Sequence, residues 1–160
     1  MEIKTQKLGK ATLYLFLFFL FFCFLMEAYT RTPDKLDIKP LKLSPNTQEI
    51  VLLFHGAKDE LNPELAAIAV KYKKLISNRT RTAVVNYNWS SGSNNRLRAG
   101  TNALRFGAAI GKELVEYKGL THLRIIAHSA SGFIPDELSR TYRNLGGRAI
   151  IEARCLEAFD

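Results

Sequence analysis

Residues 123–133 read Leu-Arg-Ile-Ile-Ala-His-Ser-Ala-Ser-Gly-Phe. A short apolar run ends in a cluster of small residues centred on Ser129, and an amphipathic stretch follows. The pattern predicts a strand, a sharp turn and a helix. Such a turn lifts the serine clear of a sheet edge and leaves its hydroxyl exposed, the geometry of a nucleophile elbow. Side chains two before and two after the serine crowd together there, so only small ones fit. The usual pattern is Gly-x-Ser-x-Gly. Here Ala127 and Ser131 stand at the two glycine positions, and Gly132 falls one place late. A raised seryl hydroxyl can attack a carbonyl carbon if a base accepts its proton. A second feature of this kind is His55-Gly56, which directly follows the apolar run 50–54.

These residues need elements to hold them. Glu49–Phe54 reads as a buried strand, and Asn62–Ser77 as a helix with Pro63 in its first turn. In that helix Leu65, Ala66, Ala69, Tyr72 and Leu75 recur at helical spacing. Thr82–Tyr87 is a β-branched strand and Ser90–Asn95 a polar loop. Leu97–Tyr117 predicts a long helix with Leu104, Ala108, Gly111 and Val115 on its packed face and Gly119 at its end. His122–Ala127 is the central strand, Ile134–Leu145 the helix after the turn, and Arg148–Ala153 a last strand. Strands that are apolar throughout and alternate with helices predict an α/β, three-layer sandwich with a mostly parallel sheet. Ligands of such sheets bind beyond the carboxyl ends of the strands. His55-Gly56 and Ser129 both fall on that edge.

The first 29 residues form a separate segment. Lys4, Lys7 and Lys10 precede an apolar run, residues 11–26. As a helix it spans roughly 24 Å, short of a ~30 Å hydrocarbon core. It reads as a secretory signal peptide or an uncleaved signal-anchor, with the body secreted, periplasmic or held on the extracytoplasmic side of a membrane. Residues 30–47 carry Pro33, Pro40 and Pro45 and read as a linker or, around Lys35–Leu43, an edge strand. Residues 48–160 form the folded domain, with room for one modest core. The net charge of +8 is scattered over predicted helix faces and loops. With no nucleic-acid motif present, a nucleic-acid partner is not expected. Cys23 lies inside the apolar run, so a disulfide with Cys155 is not expected. No metal-ligand spacing, phosphate loop or dinucleotide fingerprint is present, and no cofactor or metal is implied. Asn78-Arg79-Thr80 and Asn88-Trp89-Ser90 match the glycosylation sequon.

Over about Glu49–Ala153 the sequence resembles the α/β-hydrolase superfamily, and within it the lipase-like serine hydrolases. His55-Gly56 resembles the strand-end His-Gly that opens the oxyanion loop. Asn86-Tyr87-Asn88-Trp89-Ser90-Ser91-Gly92 is similar to the family's Trp-bearing strand end, and Ala99, Asn102, Arg105 and Gly107 to its following helix. Ala127-His128-Ser129-Ala130 is similar to the elbow. The resemblance implies Ser129 as nucleophile, the N–H groups of Ala57 and Ala130 as oxyanion donors, and a small-molecule or lipid ester as substrate. It covers the first half of the family's domain, so the chain looks like a form shortened in its C-terminal half.

The family's acid and histidine follow the nucleophile in chain order. No histidine follows His128 here. His122 begins its strand, ~16 Å from the far end. His128 adjoins the serine and points elsewhere. His55 is on the correct edge and stays a minor candidate base, although the resemblance assigns that position to the oxyanion loop. Glu152, Glu157 and Asp160 are the candidate acids. Glu152 falls where the lipase branch places its acid, but a salt-bridging strand end is the preferred reading of it. Trp89 reads as packing beneath the loop rather than as a substrate platform. Asp59 and Glu60 read as solvated. Two functional readings follow: an esterase or lipase-type acyl-transfer enzyme, and a non-catalytic remnant acting as a membrane-anchored binding module or without function.

Overall fold

The computed structural model describes residues 12–25, 34–57, 63–76 and 80–156. The chain divides into two compact units, Met1–Asp34 and Lys35–Asp160. In the first, residues 12–25 form helix α1. Its leucines and phenylalanines are exposed on every side. Among the described residues no helix is long and apolar enough to cross a membrane. The three lysines and the candidate cleavage region lie outside the described residues.

The second unit runs β1 (Glu49–Phe54), α2 (Pro63–Leu75), β2 (Thr82–Tyr87), α3 (Ser90–Ser93), α4 (Ala99–Leu114), β3 (His122–His128), a 3-10 turn (Ser129–Gly132), α5 (Phe133–Asn144) and β4 (Ile150–Leu156). The sheet order is β2-β1-β3-β4, and every pairing is parallel. This is the expected three-layer α/β architecture. The two-residue alternation of β1 divides its side chains between the layers. Ile50, Leu52 and Phe54 join Phe106, Ile110 and Leu114 of α4 and Ile134, Leu138 and Tyr142 of α5. Val51 and Leu53 meet Leu65 and Ala69 of α2 on the other face.

Strands β1 and β2 have the predicted bounds, and α2 begins at Pro63, whose missing N–H costs nothing in a first turn. Five expectations need correction, the edge-strand alternative for residues 35–43 among them. Residues 35–43 form no strand; side-chain bonds hold this stretch instead. The Asp37 N–H donates to Ser91 Oγ (2.9 Å), the Leu41 N–H to Glu113 Oε1 (2.7 Å), and Tyr87 Oη–H to Lys39 O (2.7 Å). The polar loop at Ser90 begins as the single-turn helix α3. Helix α4 ends at Leu114, well before Gly119. It also packs through Ala103, Phe106, Ile110 and Leu114, leaving Leu104 exposed. The reason is α5, which lies so close that a Cβ on Gly107 would come within 2.7 Å of Ile134 O, and one on Gly111 within 2.6 Å of Leu138 O. The glycine stripe, not the leucine, sets which way α4 faces. Finally, β4 starts two residues later than predicted and runs to Leu156.

Candidate active site

β3 ends in extended backbone at His128 (φ −119°, ψ 128°). Ser129 then turns to φ +56°, and the chain continues as helix. A side chain in that left-handed region costs about 1–2 kcal/mol. Lys42 is the other non-glycine residue in this region among those described. The turn drives the serine outward: Ser129 is exposed, while Ala127 and Ser131 on either side of it are fully buried. Among the described residues Ser129 Oγ makes no hydrogen bond.

Ser131 shows why this turn manages without its second glycine. Its Oγ accepts the His128 N–H (2.7 Å), and its own proton lies between Phe54 O (3.0 Å) and His128 O (2.9 Å). One buried hydroxyl thus closes the turn and ties it to the end of β1. The sequence pattern carried no sign of this, because a glycine was expected there and a serine reads simply as a small substitute.

The end of β1 lies directly against the turn. A Cβ on Gly56 would sit 2.9 Å from His128 Nδ1 and 3.2 Å from Ser129 Cβ, so only glycine fits this approach. The structure therefore brings together the two places the sequence put on one edge. Ala57 and Ala130, the candidate oxyanion donors, are half-buried and pack on the same core cluster. Residues 58–62, with Asp59 and Glu60, lie outside the described residues.

His55 is 4% exposed. Its Nδ1 lies 2.8 Å from Gly56 O. A carbonyl can only accept, so Nδ1 carries a proton. Nε2 is buried without a hydrogen bond. The backbone of His55 is fixed from the other side: the Trp89 indole N–H donates to His55 O (2.7 Å), and the two rings are 5.8 Å apart. Trp89 is fully buried and packs edge-on against Phe106. It supports the loop from beneath. Above β2, the Asn102 Nδ2–H donates to Gly92 O (3.0 Å) and secures α3 to α4.

Burial pushes the Tyr87 phenol up to about 12. The phenol is thus a fixed donor across the whole neutral range.

Other candidates fall elsewhere. His122 stands at the opposite end of β3, with Nδ1 3.0 Å from Thr121 Oγ1. Glu152 needs correction as a candidate acid. It lies within β4 opposite Arg124, and Arg124 Nε–H donates to its Oε2 at 3.0 Å. Four residues separate Arg124 from His128, or ~13 Å along the strand, so Glu152 is well below the edge that carries Ser129. The salt-bridge reading describes it. Glu157 and Asp160 lie outside the described residues. Cys23 and Cys155 are free thiols, with no disulfide between them. Among the described residues no group of three or more His, Cys, Asp or Glu side chains could hold a metal ion.

No family model matches this chain, and no curated protein or solved structure matches it.

Proposed function

We propose that this chain is a serine hydrolase module of the α/β-hydrolase type, acting on carboxylic esters by acyl transfer through Ser129. The observation that carries this reading is Ser129 itself: exposed, left-handed at φ +56°, and so near Gly56 that a Cβ added there would lie 3.2 Å from the serine Cβ. A protein holds a non-glycine residue in that conformation only where its surroundings enforce it, and such strain clusters at reactive sites. Ser129 Oγ would bond to the ester carbon as the carbon–alkoxide bond breaks, and the serine proton would pass to the alkoxide, which leaves as the alcohol. The Ala57 and Ala130 N–H groups would receive the charge on the carbonyl oxygen, typically worth ~3–4 kcal/mol per donor. Water would then release the acid. In this reading the N-terminal segment, with its apolar helix α1, holds the domain at a membrane or directs its export.

A fluorophosphonate probe tests the proposal on the full chain. Labelling confined to Ser129 and lost in Ser129→Ala supports it, and absence of labelling overturns it. If the proton acceptor is an imidazole, the labelling rate rises through pH ~6.5.

A second reading, a binding module without turnover, draws on one observation. Ser129 Oγ has no hydrogen-bonded base among the described residues, and His122 lies at the other end of its strand. Ester turnover that disappears in Ser129→Ala would rule this reading out.

A further inference from the structure

Among the described residues β4 has β3 as its one sheet neighbour and forms an edge of the sheet. Along it Ile150 and Glu152–Cys155 are exposed, and the strand has no proline to blunt it. The Ile150 N–H donates to Thr121 O (2.8 Å), toward β3. By the two-residue alternation, the amides and carbonyls of 150, 152, 154 and 156 face β3. Those of Ile151, Ala153 and Cys155 face outward, ready for another strand.

We propose that the occupant is β4 of a second copy of this chain, paired antiparallel about a two-fold axis through Ala153. A two-fold axis perpendicular to a continuous sheet keeps each face on its own side, so residues pair only about a residue position. About Ala153 the strand Ile-Ile-Glu-Ala-Arg-Cys-Leu matches itself. Glu152 meets Arg154 of the second copy, Ile150 meets Leu156, Ile151 meets Cys155, and Ala153 meets its twin. Moving the axis to residue 152 puts Glu against Glu and Ile150 against an arginine. Moving it to residue 154 puts Arg against Arg. One register alone satisfies every pair.

The backbone agrees with that register. The outward-facing residues Ile151, Ala153 and Cys155 become the hydrogen-bonded pairs, each exchanging two N–H···O bonds. Glu152 and Arg154 then fall in the non-hydrogen-bonded pairs, where opposing side chains approach most closely and opposite charges gain most. There is also room on their face. Since Glu152 pairs with Arg124, both lie on the α2 side, where a cleft of ≈ 280 Å³ is lined by Tyr72, Arg124, Ile126, Glu152 and Arg154. Arg154 makes no ion pair among the described residues, while Glu152 is shared with Arg124 at 3.0 Å. Docking would set the carboxylate between two guanidinium groups and join the two sheets into one.

Sedimentation of the full chain, in a detergent that shields α1, tests this directly. Wild type sediments as a dimer. E152R alone and R154E alone each place like charges opposite one another twice, weakening the dimer on the order of 10-fold or more. Mixing the two variants restores it, because each reversed position then faces the opposite sign. That recovery also shows that both variants fold. Independently, A153C in a C23S/C155S background cross-links under mild oxidation, since hydrogen-bonded antiparallel partners lie ~5.5 Å apart, within disulfide reach. A monomeric wild type, a dimer indifferent to both reversals, a mixture that fails to recover, or an A153C chain that stays uncross-linked would each overturn the proposal.

Discussion

The two ends of this sheet are built differently. At the amino ends the ladder continues into the preceding loops chiefly backbone to backbone, with one side-chain bond, from the Thr121 hydroxyl to Gln48 O (3.0 Å). The Thr121 and His122 N–H groups donate to Gln48 O, the Gln48 and Glu49 N–H groups to Arg81 O, and the Ile150 N–H to Thr121 O. At the carboxyl ends the closing bonds come from particular side chains: Trp89 Nε1–H to His55 O, and Ser131 Oγ to Phe54 O and the His128 N–H. Peptide groups are common to every residue, so the amino end tolerates substitution. The carboxyl end does not, because its geometry rests on one indole, one hydroxyl and one missing side chain at Gly56. A strained, exposed serine at that end is the result.

Substitutions at both ends can break or sharpen this contrast. Ser129→Ala has the largest effect, complete loss of probe labelling. Ser129→Gly also abolishes labelling but stabilises the fold by about 1 kcal/mol, read as a higher Tm, because glycine accepts positive φ without strain. If Ser129→Gly destabilises the protein, the serine is not strained and the contrast fails. Gly56→Ala pushes a methyl group into the Ser129 Cβ and the His128 ring. It slows labelling on the order of 10²-fold, the effect of displacing a reacting group by about 1 Å. Ser131→Ala leaves a buried amide and carbonyl without their shared hydroxyl and costs about 1–3 kcal/mol in denaturant unfolding.

Tyr87 gives a pH test. Its phenol keeps its proton more tightly when folded, up to about 12 against an ordinary 10.0. The stability tied to that proton is therefore intact below pH 10 and is lost as pH rises from there toward 12. Tyr87 should ionise late in a spectrophotometric titration of the folded protein, and Tyr87→Phe should remove that late component. At the opposite end, His122→Ala should change Tm by the equivalent of less than about 0.5 kcal/mol. A larger loss there would erase the distinction between the two ends.

Much of this arrangement was legible in the sequence, for reasons that differ by residue. The apolar run 50–54 and the β-branched stretch 82–87 marked two strands, and parallel strands carry their loops to one edge. The proximity of Gly56 and Ser129 followed from that alone. The packed face of α4 was legible only in part: Gly111 and Val115 lie on it, and Leu104 does not. Its apolar residues occur on more than one side, and the choice is made by the close approach of α5 to Gly107 and Gly111. The extent of β4 was missed because an edge strand wetted on both faces loses its apolar signature, and Glu152 and Arg154 interrupt the pattern. Placing Glu152 at a strand end followed from that error. The tie through Ser131 depends on where one proton points, which no residue pattern encodes.

The position of β1 also shapes how the chain comes off the ribosome. It is the first made of the described strands, yet it sits inside the sheet with β2 on one side and β3 on the other. Residues 55–128 must be added before its second neighbour is complete, about 4–15 s at ~5–20 residues per second. During that interval five consecutive side chains destined for the interior, Ile50–Phe54, have one partner strand at most. The nascent chain thus carries a sticky segment for seconds, and holdase chaperones that recognise short aliphatic runs have a defined place to bind.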